Sequence, residues 1–283
     1  PAATHQVRGK EVHFRWAERA DAAWEGPAQL AKERRLLELV KEADALLRLS
    51  RPHPNLAGLI GVSSFRSDGL LGLGLEASSL GSLRDLLGRE AALSGETRTR
   101  LGREAVAGLA FAAQEGLVHR RLSSHAFGLF PGPEEPRLKL AGLGAWTAAA
   151  TGKSSPALLA ADSPRQHWHR WAAPELARGD AWTAAGQRWA LGLVLWELLA
   201  PAPPRLPYPG APSQEPPTKT EVAAWQAQWP PALPASALPA QLGLLLSPKP
   251  ELRLTPGAAL HLLQPTNPKP NPTPNSTSTE ISP

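Results

Sequence analysis

The sequence predicts an α+β fold in two lobes, the first short and strand-rich, the second larger and mainly helical. Three observations carry that prediction. Runs with strand character at 10–16, 56–62 and 70–76 bracket one helical pattern. From Leu83 onward the periodic segments are mainly helical. Between those helices lies an irregular stretch, 117–172, whose two apolar pieces, Phe127–Phe130 and Leu138–Leu140, are short.

The elements follow in order. Lys10 to Trp16 reads as a strand. A helix is predicted from Gln29 to Leu49, because Leu36, Leu39, Val40, Ala43, Leu46 and Leu47 recur at helical spacing with charges between them. Arg51-Pro52-His53-Pro54-Asn55 ends it, since a residue before proline is pushed out of the α region. The runs 56–62 and 70–76 read as strands separated by the turn Ser67-Asp68-Gly69. Helices are predicted at 83–88, 97–115, 184–200, 221–229 and 256–264, and Pro131-Gly132-Pro133 joins the two apolar pieces of the irregular stretch. The Pro-rich stretch 201–218 reads as a connecting loop. The tail 265–283 has almost no apolar content and is predicted disordered. The expected division is 1–76 for a partial first lobe, 77–264 for the helical lobe and 265–283 for the tail.

Composition narrows the function. A chain of 283 residues with 42% hydrophobic content can bury a sizeable core. No uninterrupted apolar run reaches membrane-spanning length, and no charged, apolar and small-residue signal pattern opens the chain. With no cysteine, a disulfide framework and a Cys-based metal site are excluded. Ile occurs only at Ile60 and Ile281 and Tyr only at Tyr208, so a GC-rich gene accounts for the missing Cys and Met better than redox compartment does. The net charge of +5 is spread along the chain, which argues against nucleic-acid binding.

Six motifs then appear in sequence. Leu117-Val118-His119-Arg120-Arg121-Leu122 resembles a catalytic loop that reads His-Arg-Asp-Leu. Lys139-Leu140-Ala141-Gly142-Leu143-Gly144 resembles a strand ending in Asp-Phe-Gly, and Trp171-Ala172-Ala173-Pro174-Glu175 the Ala-Pro-Glu end of an activation segment. Trp189 to Leu198 is similar to the buried helix that follows it. Pro207-Tyr208-Pro209-Gly210 matches the next loop, and Pro250-Glu251-Leu252-Arg253 the closing Arg motif. In this order and spacing, residues 55–253 resemble the protein kinase family. The resemblance implies a bilobal protein kinase-like fold with a truncated N-terminal β lobe and a mainly helical C-terminal lobe.

The matched positions lack the chemistry of that family. The carboxylate that accepts the substrate hydroxyl proton is replaced by Arg121, which is cationic at physiological pH and cannot act as a base. Ser123 stands where a phosphate-contacting Lys belongs. Ala126 replaces the metal-binding Asn and Gly142 the metal-binding Asp. No aspartate occurs anywhere in 117–146. Glu134 and Glu135 are the substitute acids an atypical kinase would need, but they sit in a Pro-rich turn far from the position of the base. The expectation is therefore an inactive protein kinase, with no catalytic residue, no cofactor and no metal.

In the small lobe, Val12-His13-Phe14-Arg15 aligns with the strand that ends in the nucleotide-binding Lys, which makes Arg15 its replacement. Glu42 is then the helix acid that pairs with it, Asp44 is the alternative, and a solvated helix face accounts for either equally well. Gly72-Leu73-Gly74 enters a hinge at Glu76-Ala77-Ser78, so Arg15, Glu42 and Glu76 mark a degenerate nucleotide site. Only fourteen residues precede Arg15 and none forms Gly-x-Gly-x-x-Gly. The resemblance, with the start at Pro1, predicts a fragment of a longer chain that lacks the phosphate-covering hairpin.

Other matched residues are structural. By the same resemblance, His119, Leu143 and Leu46 belong to a hydrophobic stack, and His119 is best read as a buried histidine bonded to backbone. Glu175 and Arg253 match an ion pair that anchors the activation segment, and Gln187 replaces the Asp that fixes the catalytic loop. Trp171, Trp189 and Trp196 fall at core positions, and Trp225 and Trp229 sit one helical turn apart. His167-Trp168-His169, with no third ligand nearby, reads as incidental rather than metal-binding. Arg120 is placed to meet a phosphate on Thr147, Thr151, Ser154, Ser155 or Ser163, although an unmodified loop is the better reading.

At finer grain, His119 to Ala126, Pro131-Gly132-Pro133 and Trp171 to Glu175 resemble the testis-expressed inactive kinases of germ-cell intercellular bridges. That resemblance implies a scaffold with ankyrin repeats upstream. Leu80 to Leu87 and Lys139 to Gly142 resemble the mixed-lineage kinase-domain-like pseudokinases of necroptosis, the second choice. Protein partners and a cytoplasmic location are expected on either reading.

Overall fold

The computed structural model describes residues 2–7, 10–18, 36–37, 39–40, 42–49, 51–65, 70–89, 93–141, 146–148, 167–180, 183–199, 206–208, 217–228 and 240–263. The predicted tail, Gly142, Leu143, Trp229 and the serines of the activation-segment reading lie outside them.

The first part is a four-stranded antiparallel sheet of β1 (Ala2–Val7), β2 (Lys10–Glu18), β3 (Leu59–Phe65) and β4 (Leu70–Glu76), ordered β1-β2-β4-β3. β1 was not expected. It pairs with all of Lys10–Arg15, so the chain opens on a hairpin without a Gly-x-Gly-x-x-Gly sequence. Helix α1, described at 36–37, 39–40 and 42–47, buries Leu39, Ala43, Ala45 and Leu46. Val40 and Leu47, read as part of its apolar face, are instead exposed at 46% and 66%. A helix that meets the core by one face buries a single stripe, and Leu39, Ala43 and Leu46 already fill it.

The strand expected at 56–62 is displaced to β3. The first residues of that apolar run serve the second lobe: Ala57 N–H donates to Leu140 O at 3.0 Å, and Leu140 N–H donates to Asn55 O at 2.9 Å. The Asn55 side-chain amide adds a bond to Leu138 O at 2.9 Å. This junction packs on helix α3, where a Cβ on Gly108 would lie 2.2 Å from Asn55 O. His53 stacks on Phe111 of α3, with ring centroids 4.7 Å apart.

The second part contains α2 (Leu83–Gly88), α3 (Gly95–Gln114), α4 (Pro174–Ala177), α5 (Ala184–Leu199), α6 (Lys219–Gln228) and α7 (Pro256–Leu262). Ser82 caps α2 in a capping box with Asp85, and Ser94 caps α3 by accepting Thr97 N–H at 3.0 Å. α5 is apolar nearly all round and forms the centre of the core, as such a helix must. Trp171 and Trp189 are buried at 2%, whereas Trp196, expected in the core, is only partly buried. An indole is too large to be enclosed at every such position. The irregular stretch holds more order than expected. Phe127–Phe130 and Arg137–Leu140 form a hairpin, and the three-residue strands Leu117–His119 and Trp146–Ala148 pair with each other.

Candidate functional site

The loop that follows Leu117–His119 is largely buried and is tied by hydrogen bonds. Leu122, Ser123 and Ala126 are exposed at 3%, 4% and 7%, and Ser124–Ala126 forms a single 3-10 turn. Gln187 of α5 reaches up to it, its side-chain carbonyl accepting the backbone N–H of His119. The His119 ring is 1% exposed and meets Trp146 edge-on, at 5.0 Å between centroids. Arg121, which the resemblance sets at the position of the base, is half-buried.

The loop closes on the strand that leads to Gly142, because Ala141 N–H donates to Ala126 O at 2.8 Å. Ala126 thus stands beside the residue that precedes Gly142. A methyl group at Ala126 and a guanidinium at Arg121 offer no oxygen to a divalent cation, so these residues do not fit a catalytic metal. Among the described residues no group of three or more His, Asp or Glu is placed to hold a metal ion. Glu134 and Glu135 stay in the hairpin turn, where Glu135 is held by Arg100 at 2.9 Å.

Above the loop, a cavity of about 370 Å³ opens between the sheet and the helical part. Leu75, Ala77, Gly128, Ala126 and Ala141 give it apolar walls, and Glu76, Ser78, Ser82 and His125 complete the lining. The Glu76 carboxylate is already engaged: Lys139 Nζ lies 2.6 and 2.7 Å from its two oxygens and 4.7 Å from the centre of the Phe130 ring. The Ser78 hydroxyl is bonded to Leu129 O at 3.0 Å. Side-chain chemistry at the hinge is therefore spent on holding the hairpin of Phe127–Phe130 and Arg137–Leu140.

Beneath the loop, sequence reasoning missed a hub. Glu197 of α5 is fully buried and accepts from Arg84 Nη1 at 3.0 Å, Ser124 Oγ at 3.1 Å and Trp171 Nε1 at 2.8 Å. One carboxylate thus ties α2, the catalytic-type loop, the segment before α4 and α5. Burial pushes its pKa up to about 7, against the lowering effect of the Trp171 bond and the Arg84 charge. The available signal was a lone acid inside the apolar run Leu193 to Leu199, since a buried acid demands partners.

Glu42 is 1% exposed, while Asp44 faces solvent and pairs with Arg48 at 2.8 Å. Arg15 lies on β2 in register with Leu73. Leu46 is 3% exposed.

At the other end, Arg253 Nη1 and Nη2 donate to the two Glu175 oxygens at 2.6 and 2.7 Å. Arg253 also bonds Ser247 O and Ala185 O, at 2.8 and 2.9 Å, and lies over the Trp189 ring. His169 is buried with Nδ1 2.9 Å from Pro217 O, whereas His167 is exposed. Arg170 donates to Pro207 O at 2.9 Å and covers the Trp225 ring at 4.7 Å, so Trp225 is partly buried against the core rather than open to a partner. Tyr208 is buried with its hydroxyl 3.1 Å from Gln226 Nε2, and burial pushes its pKa up to about 12. Arg120 is half-buried beside the loop. No helix among the described residues is long and apolar enough to cross a membrane.

Residues 27–235 match the family described as protein tyrosine and serine/threonine kinase. The match takes in the catalytic-type loop, the cavity and Glu197, while Arg15 and Arg253 lie on either side of it. No curated protein matches the chain.

Proposed function

The chain belongs to the protein tyrosine and serine/threonine kinase family, and from that premise we propose a pseudokinase: a domain without phosphotransferase activity that acts as a protein-interaction scaffold or allosteric partner. One observation carries the reading. The base position is Arg121, in a loop whose backbone is otherwise held in place by Gln187 and by the Ala126–Ala141 bond. A guanidinium cannot accept the substrate proton, and Ser123 and Ala126 restore neither phosphate nor metal contact. The architecture is maintained by Glu175–Arg253 and the Glu197 cluster, which do not need a reaction. Incubation with labelled ATP and Mg²⁺ or Mn²⁺, alone and with a mixed peptide library, tests this. No incorporation is expected, and transfer that tracks the purified chain would overturn it.

A second reading, a nucleotide-holding switch of the necroptosis-effector type, is favoured by the cavity against Glu76–Ser78. Thermal shift with ATP, with and without Mg²⁺, separates the two, because a plain scaffold gives no shift in either. Within the scaffold reading, the Leu122-Ser123-Ser124 and Trp171 to Glu175 sequences support an intercellular-bridge type of partner set in the cytoplasm. Identification of proteins co-purified with the domain from germ cells tests that choice.

A further inference from the structure

We propose that the free edge of β3 pairs with the same edge of a second copy of this chain, antiparallel about a two-fold axis at Val62, so that two four-stranded sheets join into one. β3 is the last strand in the order β1-β2-β4-β3, and among the described residues it pairs with β4 alone. Its sequence, Leu59-Ile60-Gly61-Val62-Ser63-Ser64-Phe65, holds no charge and no proline. Those are the residues that usually keep sheet edges apart.

The core is also left open on this side. Val62 stands directly opposite Leu73 of β4, and residues paired in this way share a face of the sheet. Leu73 is 0% exposed and belongs to the core, yet Val62 is 45% exposed. The apolar face therefore runs on to the last strand and stops where no further strand covers it. A register irregularity of the kind that ends pairing lies between Leu59 and Gly61, where Ile60 is exposed as well. From Gly61 to Phe65 the register with β4 is regular, so the stretch around Val62 is free to template another strand.

A second copy fits this edge better than an unrelated extended segment. Recognition of a foreign strand draws its specificity from pockets for alternate side chains. The hinge cavity is lined by Leu75 and Glu76 of β4, and its described lining includes no residue of β3. Two-fold pairing needs no pocket. It sets the Val62 residues of the two copies against each other and Gly61 against Ser63, a β-branched pair between small neighbours with no like charges opposed. Such pairing is isologous and closes at two copies, whereas β3 against the β1 edge of another copy would leave edges free to grow. A strand of this length spans only about 23 Å, so the covered area is small and the dimer weak. This goes beyond the scaffold reading, because it names a partner and a surface and holds whether or not phosphate is transferred.

Sedimentation equilibrium of the whole chain, from about 1 to about 200 µM, decides it. A monomer–dimer equilibrium is expected, with a dissociation constant of about 10–100 µM. Val62→Lys and Val62→Glu each put like charges at the axis and should weaken the dimer about tenfold. Mixing the two variants in equal amounts should restore it, since opposite charges then face each other. Hydrogen exchange at the β3 amides should slow with concentration in the native chain but not in either variant alone. A chain that stays monomeric, variants that dimerise like the native chain, or a mixture that stays monomeric would each overturn the proposal. So would species growing beyond two copies, or a dimer whose β3 amides exchange at the monomer's rate. That last result would move the interface elsewhere, for example to the exposed Leu37, Val40 and Leu47 of α1.

Discussion

The side-chain carbonyl of Gln187 accepts the backbone N–H of His119. A neutral amide thus holds the catalytic-type loop where the resemblance puts an aspartate. The contact holds the loop, and Arg121, which the resemblance sets at the base position, is half-buried in it. Gln187→Ala leaves the buried His119 N–H without that acceptor. The expected loss is about 1–3 kcal/mol of stability, read as a lower urea midpoint at unchanged slope. An unchanged midpoint would mean that water replaces the amide.

Arg253 and Glu175 test how the second lobe holds its activation-segment end. The Arg253 side chain is fully buried and makes four bonds, two of them to Glu175. Arg253→Met strands a buried carboxylate and should cost about 3–5 kcal/mol. The double change Arg253→Met with Glu175→Gln should recover part of that loss, because the uncompensated charge is gone. A double-mutant cycle by denaturant unfolding measures the coupling, and strict additivity would show that the backbone bonds of Arg253 matter more than the pair.

Much of the second lobe was legible in the sequence because its helices lie in apolar-rich segments whose interiors no proline interrupts. The predicted 184–200 and 83–88 correspond to Ala184–Leu199 and Leu83–Gly88. The strands Leu117–His119 and Trp146–Ala148 are three residues each, too short for any alternation to register, and β1 gains its order from pairing with β2. Leu56 and Ala57 looked like strand because they are apolar, yet what they bury against is Leu140, far along the chain. With their degenerate roles resting on the resemblance, the residue types at Arg121, Ser123, Ala126 and Gly142 were legible one by one. The Arg84–Glu197 contact was not, because 113 residues separate its partners and no local pattern links them.

Gly108 offers a test of the junction between the lobes. Glycine inside a helix usually costs about 0.5–1 kcal/mol relative to alanine, so Gly108→Ala would stabilise α3 if space allowed. Here the added methyl would meet the Asn55 backbone at 2.2 Å, and backbone cannot swing aside. The substitution should therefore destabilise by about 1–3 kcal/mol and raise hydrogen exchange at Leu140 N–H, which is bonded to Asn55 O. Gly95→Ala, with nothing within 4 Å, is the control and should be neutral or mildly stabilising. If both behave alike, the close approach at Asn55 is not what holds the junction.

Glu197 makes stability depend on pH in an unusual direction for an acid. Its folded pKa of about 7 stands above the ordinary 4.5, because desolvation outweighs Trp171, Arg84 and Ser124. Between those values the folded chain holds a proton that the unfolded chain has released. The contribution of this group is therefore greatest below about pH 4.5 and declines as pH rises toward 7, by on the order of 3 kcal/mol in all. Glu197→Gln keeps an acceptor for Trp171 and Arg84 but cannot titrate. The stability of the native chain relative to this variant should fall steadily between about pH 5 and pH 7, and urea midpoints across that range measure it. A flat difference would mean that Arg84 keeps the carboxylate ionised throughout, and the hub would then be an ion pair rather than a proton-sensitive joint.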